Sequence, residues 1–325
     1  MDFERFELSK WLFTTLLGNY QSRLSPTDSA EEAKIQRAHH LGMCFGVRDA
    51  IALAHQESAR GPLTVLGDLV HNDTVLAELK ARGVGIERSP DSVRTQAVII
   101  TAHGASERLM TDVRRRGHRI VEATCPLVHH AHKALQTLVK SGYHPVVIGQ
   151  RGHVEVRGLA EDYPEADIVL SPEDVERMTE RERFGVVSQT TQPVDRVRRL
   201  VEAIRKRFPR AQLEFRDTVC QPTKLRQGAA LELAESSDVV LVVGGAHSNN
   251  TRELVASCRT LCDRVYHVQV ASEVRSEWFE AEDTVGITAG TSTPDTVIDT
   301  VEQRIEEIAH RFEAVVSLSS MASVA

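Results

Sequence analysis

Glu122-Ala-Thr-Cys-Pro-Leu-Val128 places a cysteine, Cys125, at the seam between an apolar strand and a new helix. Cys44, in Leu41-Gly-Met-Cys-Phe-Gly-Val47, and Cys220, in Asp217-Thr-Val-Cys-Gln-Pro-Thr223, occupy the same kind of seam. Beyond each cysteine a short apolar strand ends in a glycine, at Gly67, Gly149 and Gly244. Four residues after each glycine comes a polar side chain: His71, His153 and Ser248, each 27 or 28 residues beyond its cysteine. A second apolar strand then delivers a second polar cluster, read as Val98-Ile-Ile-Thr-Ala-His103, Phe184-Gly-Val-Val-Ser-Gln-Thr190 and Thr284-Val-Gly-Ile-Thr-Ala-Gly-Thr-Ser292.

This recurrence reads as three diverged, pseudo-threefold-related copies of one α/β unit. Alternating strands and helices imply small, mostly parallel sheets with right-handed crossovers, and such sheets place ligands at the carboxyl ends of their strands. The period of about 80 to 95 residues is longer than that of solenoid repeats. The expected boundaries are an amino-terminal extension over 1–36, α/β domains over 37–123, 124–216 and 217–312, and a flexible tail over 313–325. Within the extension, Phe3, Phe6, Leu8, Trp11, Leu12, Leu16 and Leu17 fall on one face of an amphipathic helix.

Composition excludes several classes. A net charge of −7 leaves no overall basic footprint for nucleic acid. Acidic Asp2, Glu4 and Glu7 stand where an export signal carries lysine or arginine, and no stretch has the length of apolar sequence that a membrane span needs. The five cysteines therefore read as metal or redox residues of a cytoplasmic protein and not as a disulfide framework.

Three cysteines from three units make an incomplete thiolate set, which leaves a metal position open to water or substrate. An iron–sulfur cluster ranks ahead of a three-sulfur zinc ion and of structural cysteines, because no local C-x₂-C pair is present and a structural zinc needs no three domains to assemble it. Cys258-Arg-Thr-Leu-Cys262 has the i, i+4 spacing of a helical core stripe and reads as packing. His71, His103, His153, Thr190, Ser248, Asn250 and Ser292, gathered at strand ends, suit a phosphate or diphosphate. No Walker-type glycine loop is present. Glu155, in Gly152-His-Val-Glu-Val-Arg-Gly158, is the carboxylate placed to act as a general acid if the cavity is poorly solvated.

Met43-Cys-Phe-Gly-Val47, Val70-His-Asn72, Ala102-His-Gly104, Ala123-Thr-Cys-Pro-Leu-Val128, Gly152-His-Val-Glu155, Ser188-Gln-Thr-Thr191, Asp217-Thr-Val-Cys220, Ser248-Asn-Asn250 and Ala289-Gly-Thr-Ser292 together resemble the IspH/LytB family of 4-hydroxy-3-methylbut-2-enyl diphosphate reductases. The resemblance runs over roughly residues 37 to 312. It implies three α/β domains around a central [4Fe-4S] cluster with one open iron, held here by Cys44, Cys125 and Cys220. It also implies diphosphate binding by His71, His103, His153, Ser248, Asn249, Asn250 and Ser292, a substrate-hydroxyl contact at Thr190, and catalysis by Glu155, Thr190 and His153. The implied reaction is reductive dehydroxylation to isopentenyl and dimethylallyl diphosphate, the last step of the non-mevalonate isoprenoid pathway, with electrons from a small ferredoxin- or flavodoxin-type protein. Two departures stand out: Leu41-Gly-Met43 replaces the family's arginine-glycine-phenylalanine, and Asn249 replaces its usual serine. The rival readings are a non-redox iron–sulfur hydro-lyase, which needs no reductant, and an iron–sulfur sensor, which needs no proton relay.

Overall fold

The computed structural model describes residues 34–322, with side chains through residue 312, so the helix read over residues 3–17 lies outside the described residues. Strand β1 (Lys34–Arg37) comes first. The first unit follows as α1 (Phe45–Ser58), β2 (Leu63–Leu66), α2 (Asp73–Ala81), β3 (Gly85–Glu87), β4 (Ala97–Ile100), α3 (Glu107–Arg115) and β5 (Arg119–Glu122). The second is α4 (Pro126–Lys140), β6 (His144–Ile148), α5 (Val154–Ala160), β7 (Asp167–Val169), α6 (Pro172–Arg177), β8 (Arg183–Ser188), α7 (Val194–Arg207) and β9 (Gln212–Phe215). The third is α8 (Gln221–Glu235), β10 (Val239–Val243), α9 (Asn249–Cys258), β11 (Arg264–Val268), β12 (Thr284–Ala289) and α10 (Asp295–Ala322).

These strands form three four-stranded sheets, ordered β3-β2-β4-β5, β7-β6-β8-β9 and β1-β12-β10-β11, and their neighbours pair in parallel. The orders are equivalent, with β1 in the place that β5 and β9 hold in the other two sheets. Each cysteine thus follows a strand of the preceding unit, and the unit preceding the first is the third. The segment read as an extension beyond the repeat therefore contributes most of a strand to it, pairing Lys34 with Thr284 through Arg37 with Ile287.

The near-continuous apolar runs of the inner strands arise because helices cover both faces of each sheet. In β4, Ala97 and Ile99 pack into one cluster while Val98 and Ile100 pack into another. The division recurs between Val146 and Val147 of β6 and between Leu241 and Val242 of β10. Burying each of these valine, leucine and isoleucine side chains contributes about 1.5–3 kcal/mol.

Helix starts are written locally. Asn72 accepts from Val75 N at 3.2 Å to cap α2, Ser106 caps α3, and Ser171 with Asp174 forms a capping box on α6. At the end of β6 a glycine is required by space: a Cβ on Gly149 would lie 2.6 Å from Val156 and 2.9 Å from Gln189. At the opposite end of the chain, α10 continues past Phe312 to Ala322, where a flexible tail was expected. Residues 313–322 contain neither glycine nor proline, so nothing local stops the helix.

Candidate active site

Cys44, Cys125 and Cys220 are the N-cap residues of α1, α4 and α8, and none of the three uses its side chain to cap. The thiols are free to turn inward while three helix amino termini, each carrying unsatisfied N–H groups and partial positive charge, approach them. One further bond repeats in each unit. The backbone N–H of Cys44 donates to Thr291 O, that of Cys125 to Ala102 O and that of Cys220 to Thr190 O, each at 3.0 Å. Each acceptor lies in the polar loop at the end of an inner strand, so the cysteines and these loops are held as one assembly. Contact is close: a Cβ on Gly46 would sit 2.5 Å from Cys125 Sγ, which leaves room only for glycine.

Burial pushes the Cys220 thiol up to about 11, against hydrogen bonds from Thr223, with the charges of Glu155 and Cys44 adding to the rise. Burial likewise raises Cys125, which feels Cys44 and Glu155. These thiols need a cation to exist as thiolates at neutral pH. Among the described residues no three His, Cys, Asp or Glu side chains converge tightly enough to hold a single metal ion. Cys258 and Cys262 sit apart in the core under β10, their Sγ atoms donating to Ala230 O and Asp238 O.

A second set of residues lines a cavity of about 30 Å³: His71, His103, His153, Ser248, Asn249, Asn250 and Ser292, joined by Thr191 and Thr291. The His71 and His103 rings stack with centroids 4.2 Å apart, and the His153 ring stands edge-on to both. His71 Nδ1 and Nε2, His103 Nε2 and Asn250 Nδ2 are buried without a partner, a costly state that an anion would relieve. Asn250 is fixed because its Oδ1 accepts from Thr291 N at 2.9 Å. Ser292 Oγ donates to His71 O, and Ser248 Oγ caps α9 by accepting from Thr251 N.

His153 Nδ1 accepts from Glu155 N at 3.2 Å, which assigns the remaining ring proton to Nε2. Burial, reinforced by His71, Arg252 and Arg157, pushes this imidazole down to about 3. Burial also lowers His71, and it holds His103 well below the usual imidazole range. All three are neutral at pH 7, and each keeps one N–H to donate.

Thr190 and Glu155 pair with each other. Glu155 Oε1 accepts from Thr190 N at 2.6 Å and Oε2 from Thr190 Oγ1 at 3.1 Å. The carboxyl is 1% exposed, and burial pushes it up to about 7 against these two bonds.

Further residues complete the site. Thr191 accepts from Asn249 Nδ2 and from Gln189 Nε2, so the duplicated threonine of Ser188-Gln-Thr-Thr191 marks two roles. Asn249 Nδ2, 3.3 Å from Thr191 Oγ1, has a second N–H to donate. An open cleft of about 1130 Å³, with Arg88, Arg108, Arg151, Arg157 and Arg252 in its wall, leads to His71 and His153. It gives an acidic protein a locally cationic approach to the site. These arginines are scattered in sequence, and only folding gathers them.

Three equivalent α/β units that share one central set of thiols, buried carboxyl and unpaired anion donors define an enzyme whose active site belongs to no single unit. The chain belongs to the LytB protein family, whose model matches residues 35–306. It is 35% identical to the 4-hydroxy-3-methylbut-2-enyl diphosphate reductase of Trichlorobacter lovleyi over 277 residues, covering 85% of this chain and 98% of that one. It is also 35% identical to the enzyme of the same name from Aquifex aeolicus, covering 83% and 95%. Among solved structures, (E)-4-hydroxy-3-methyl-but-2-enyl diphosphate reductase, the terminal enzyme of the non-mevalonate pathway, matches with a TM-score of 0.62 at 34% identity over 85% of this chain and 99% of that one. The E-1-hydroxy-2-methyl-but-2-enyl-4-diphosphate reductase of Plasmodium falciparum shares the fold, with a TM-score of 0.79 at 24% identity over 84% and 87%.

Proposed function

We infer that this protein is a 4-hydroxy-3-methylbut-2-enyl diphosphate reductase, an oxidoreductase that removes the allylic hydroxyl as water and forms isopentenyl and dimethylallyl diphosphate. The observation that carries the reading is the repeated bond from each cysteine N–H to a loop of the substrate cavity, which ties thiols and anion donors into one centre.

The donor set fits a [4Fe-4S] cluster with one open iron: three half-buried thiols stand at three helix amino termini, and Gly46 beside Cys44 leaves Cys125 Sγ the space that a side chain would fill. When bound, the cluster supplies two electrons singly and a Lewis-acidic iron for the substrate hydroxyl. Cys44, Cys125 and Cys220 hold it. The unpaired donors of His71, His103 and Asn250, with Ser248, Asn249, Ser292 and the Nε2–H of His153, bind the diphosphate. Thr190 orients the substrate hydroxyl. Glu155, titrating near neutrality, holds the proton that lets that hydroxyl leave as water. The electrons come from a small ferredoxin- or flavodoxin-type protein. No helix among the described residues is long and apolar enough to cross a membrane.

The test is anaerobic purification with an iron and sulfide count, followed by product analysis with and without reductant. Turnover to the two diphosphates only with reductant is expected. Turnover without reductant would mark a hydro-lyase, and a bound cluster without turnover would mark a sensor.

A further inference from the structure

Helix α8 inverts the usual pattern at one step: Leu225 is exposed while the next residue, Arg226, is 8% exposed. Thr223, Arg226, Gln227, Ala230 and Ala234 form the buried stripe of this helix, at the i, i+3, i+4, i+7 spacing that normally carries apolar side chains. A buried charge is retained only where something compensates it. Other arginines with buried neighbours have carboxylates, as Arg119 has Glu57 and Arg264 has Asp283. Arg226 has backbone carbonyls: Nε donates to Gly42 O at 2.9 Å and Nη1 to Pro222 O at 3.1 Å. No carboxylate pairs with it among the described residues.

Those two carbonyls locate the charge. Gly42 lies two residues before Cys44, and Pro222, two residues after Cys220, is in the first turn of α8 itself, so the guanidinium lies between the loop that carries Cys44 and the helix start that Cys220 caps. Burial, with Arg48, disfavours the charged guanidinium, and Cys44 and Cys220, once they are thiolates, are the groups that favour it.

Building on the proposed function, we propose that Arg226 is the fixed counter-charge of the iron–sulfur cluster, a positioning residue that favours the reduced state. A cluster held by three thiolates is anionic, and its negative charge grows by one on reduction. A buried cation at fixed distance therefore stabilises the reduced form more than the oxidised form, raising the reduction potential. The carbonyl bonds keep the guanidinium from swinging out to solvent, where water would screen it.

The experiment is an anaerobic redox titration of the as-purified holoprotein, read by the cluster's visible and paramagnetic signals, for wild type, Arg226→Gln and Arg226→Lys. At the potential where half the wild-type cluster is reduced, Arg226→Gln should show a reduced-to-oxidised ratio about tenfold lower, equivalent to about 59 mV for a one-electron couple. Arg226→Lys should stay within about threefold of wild type. An unchanged ratio in a cluster-loaded Arg226→Gln overturns the inference and leaves the proposed function standing. Absence of any cluster from wild type overturns the proposed function itself. Where the glutamine variant does not retain iron, retention by Arg226→Lys supports a requirement for charge. Loss from both variants shows that carbonyl geometry matters and charge does not, which overturns the inference.

Discussion

Both oxygens of the buried Glu155 carboxyl face one residue, Thr190, whose backbone N–H donates to Oε1 and whose hydroxyl donates to Oε2. The pair opposes the burial that pushes Glu155 up to about 7, leaving an acid poised at working pH. Glu155→Gln keeps the shape, and its amide can satisfy both Thr190 groups, but it cannot transfer the proton. The expected result is normal iron content and substrate affinity with a rate lower by about 10²-fold or more, measured in an anaerobic assay with a chemical reductant. A near-wild-type rate would remove Glu155 from the reaction.

Stability carries a second signature of the same group. As pH rises from about 4.5, the unfolded chain loses this proton before the folded chain does, so the unfolded state binds fewer protons and stability falls until pH passes about 7. Glu155→Gln lacks that penalty. At pH 8 it should be more stable than wild type by on the order of 1–3 kcal/mol, with the gap closing near pH 4. Denaturant melts at the two pH values read this directly.

Turnover that needs protonated Glu155 should decline above about pH 7. Thr190→Val deletes the hydroxyl bond that favours the ionised carboxyl, so in that variant the alkaline limb of kcat should move to higher pH, whatever the loss in maximum rate. A limb that stays in place would show that another group sets it.

Cys44→Ala, Cys125→Ala and Cys220→Ala should each lower bound iron and abolish turnover. Cys258→Ala and Cys262→Ala, which alter the core under β10, should keep both at a stability cost of about 1 kcal/mol. Iron analysis and the visible spectrum separate the two groups.

His71→Ala or Asn250→Ala removes a donor that is unpaired and buried in the cavity. Each should weaken binding of the diphosphate substrate by roughly 10- to 100-fold, the scale of one hydrogen bond to a charged group, with little effect on the cluster spectrum. Binding of the free diol, measured beside it, should be unaffected.

Much of this architecture was legible because it is written three times. The inner strands β2, β4, β6, β8, β10 and β12 are apolar runs with polar ends, and their triplicate spacing exposes them. Edge strands such as Arg119-Ile-Val-Glu122 and Gln212-Leu-Glu-Phe215 went unseen, because mixed short segments with one partner strand lack a clear period. Seven of the candidate binding residues line one cavity, since strand-end position alone predicts convergence. Arg226 and the arginines of the cleft carried no such signal. Their meaning lies in what folding leaves unpaired or brings together, and no local spacing records that.

Strand β1 sets the timing of assembly. Its partner β12 lies about 250 residues further along the chain, and the N–H of Cys44 is held by Thr291 just beyond β12. At about 5–20 residues per second, β1 waits roughly 12–50 s after its own synthesis before its partner exists. Cys125 and Cys220 can be anchored by loops made shortly before them, whereas Cys44, though earliest, is fixed last. The three-cysteine centre is therefore complete only after Thr291 is made, and a nascent chain stalled before residue 284 presents two anchored cysteines and one unanchored.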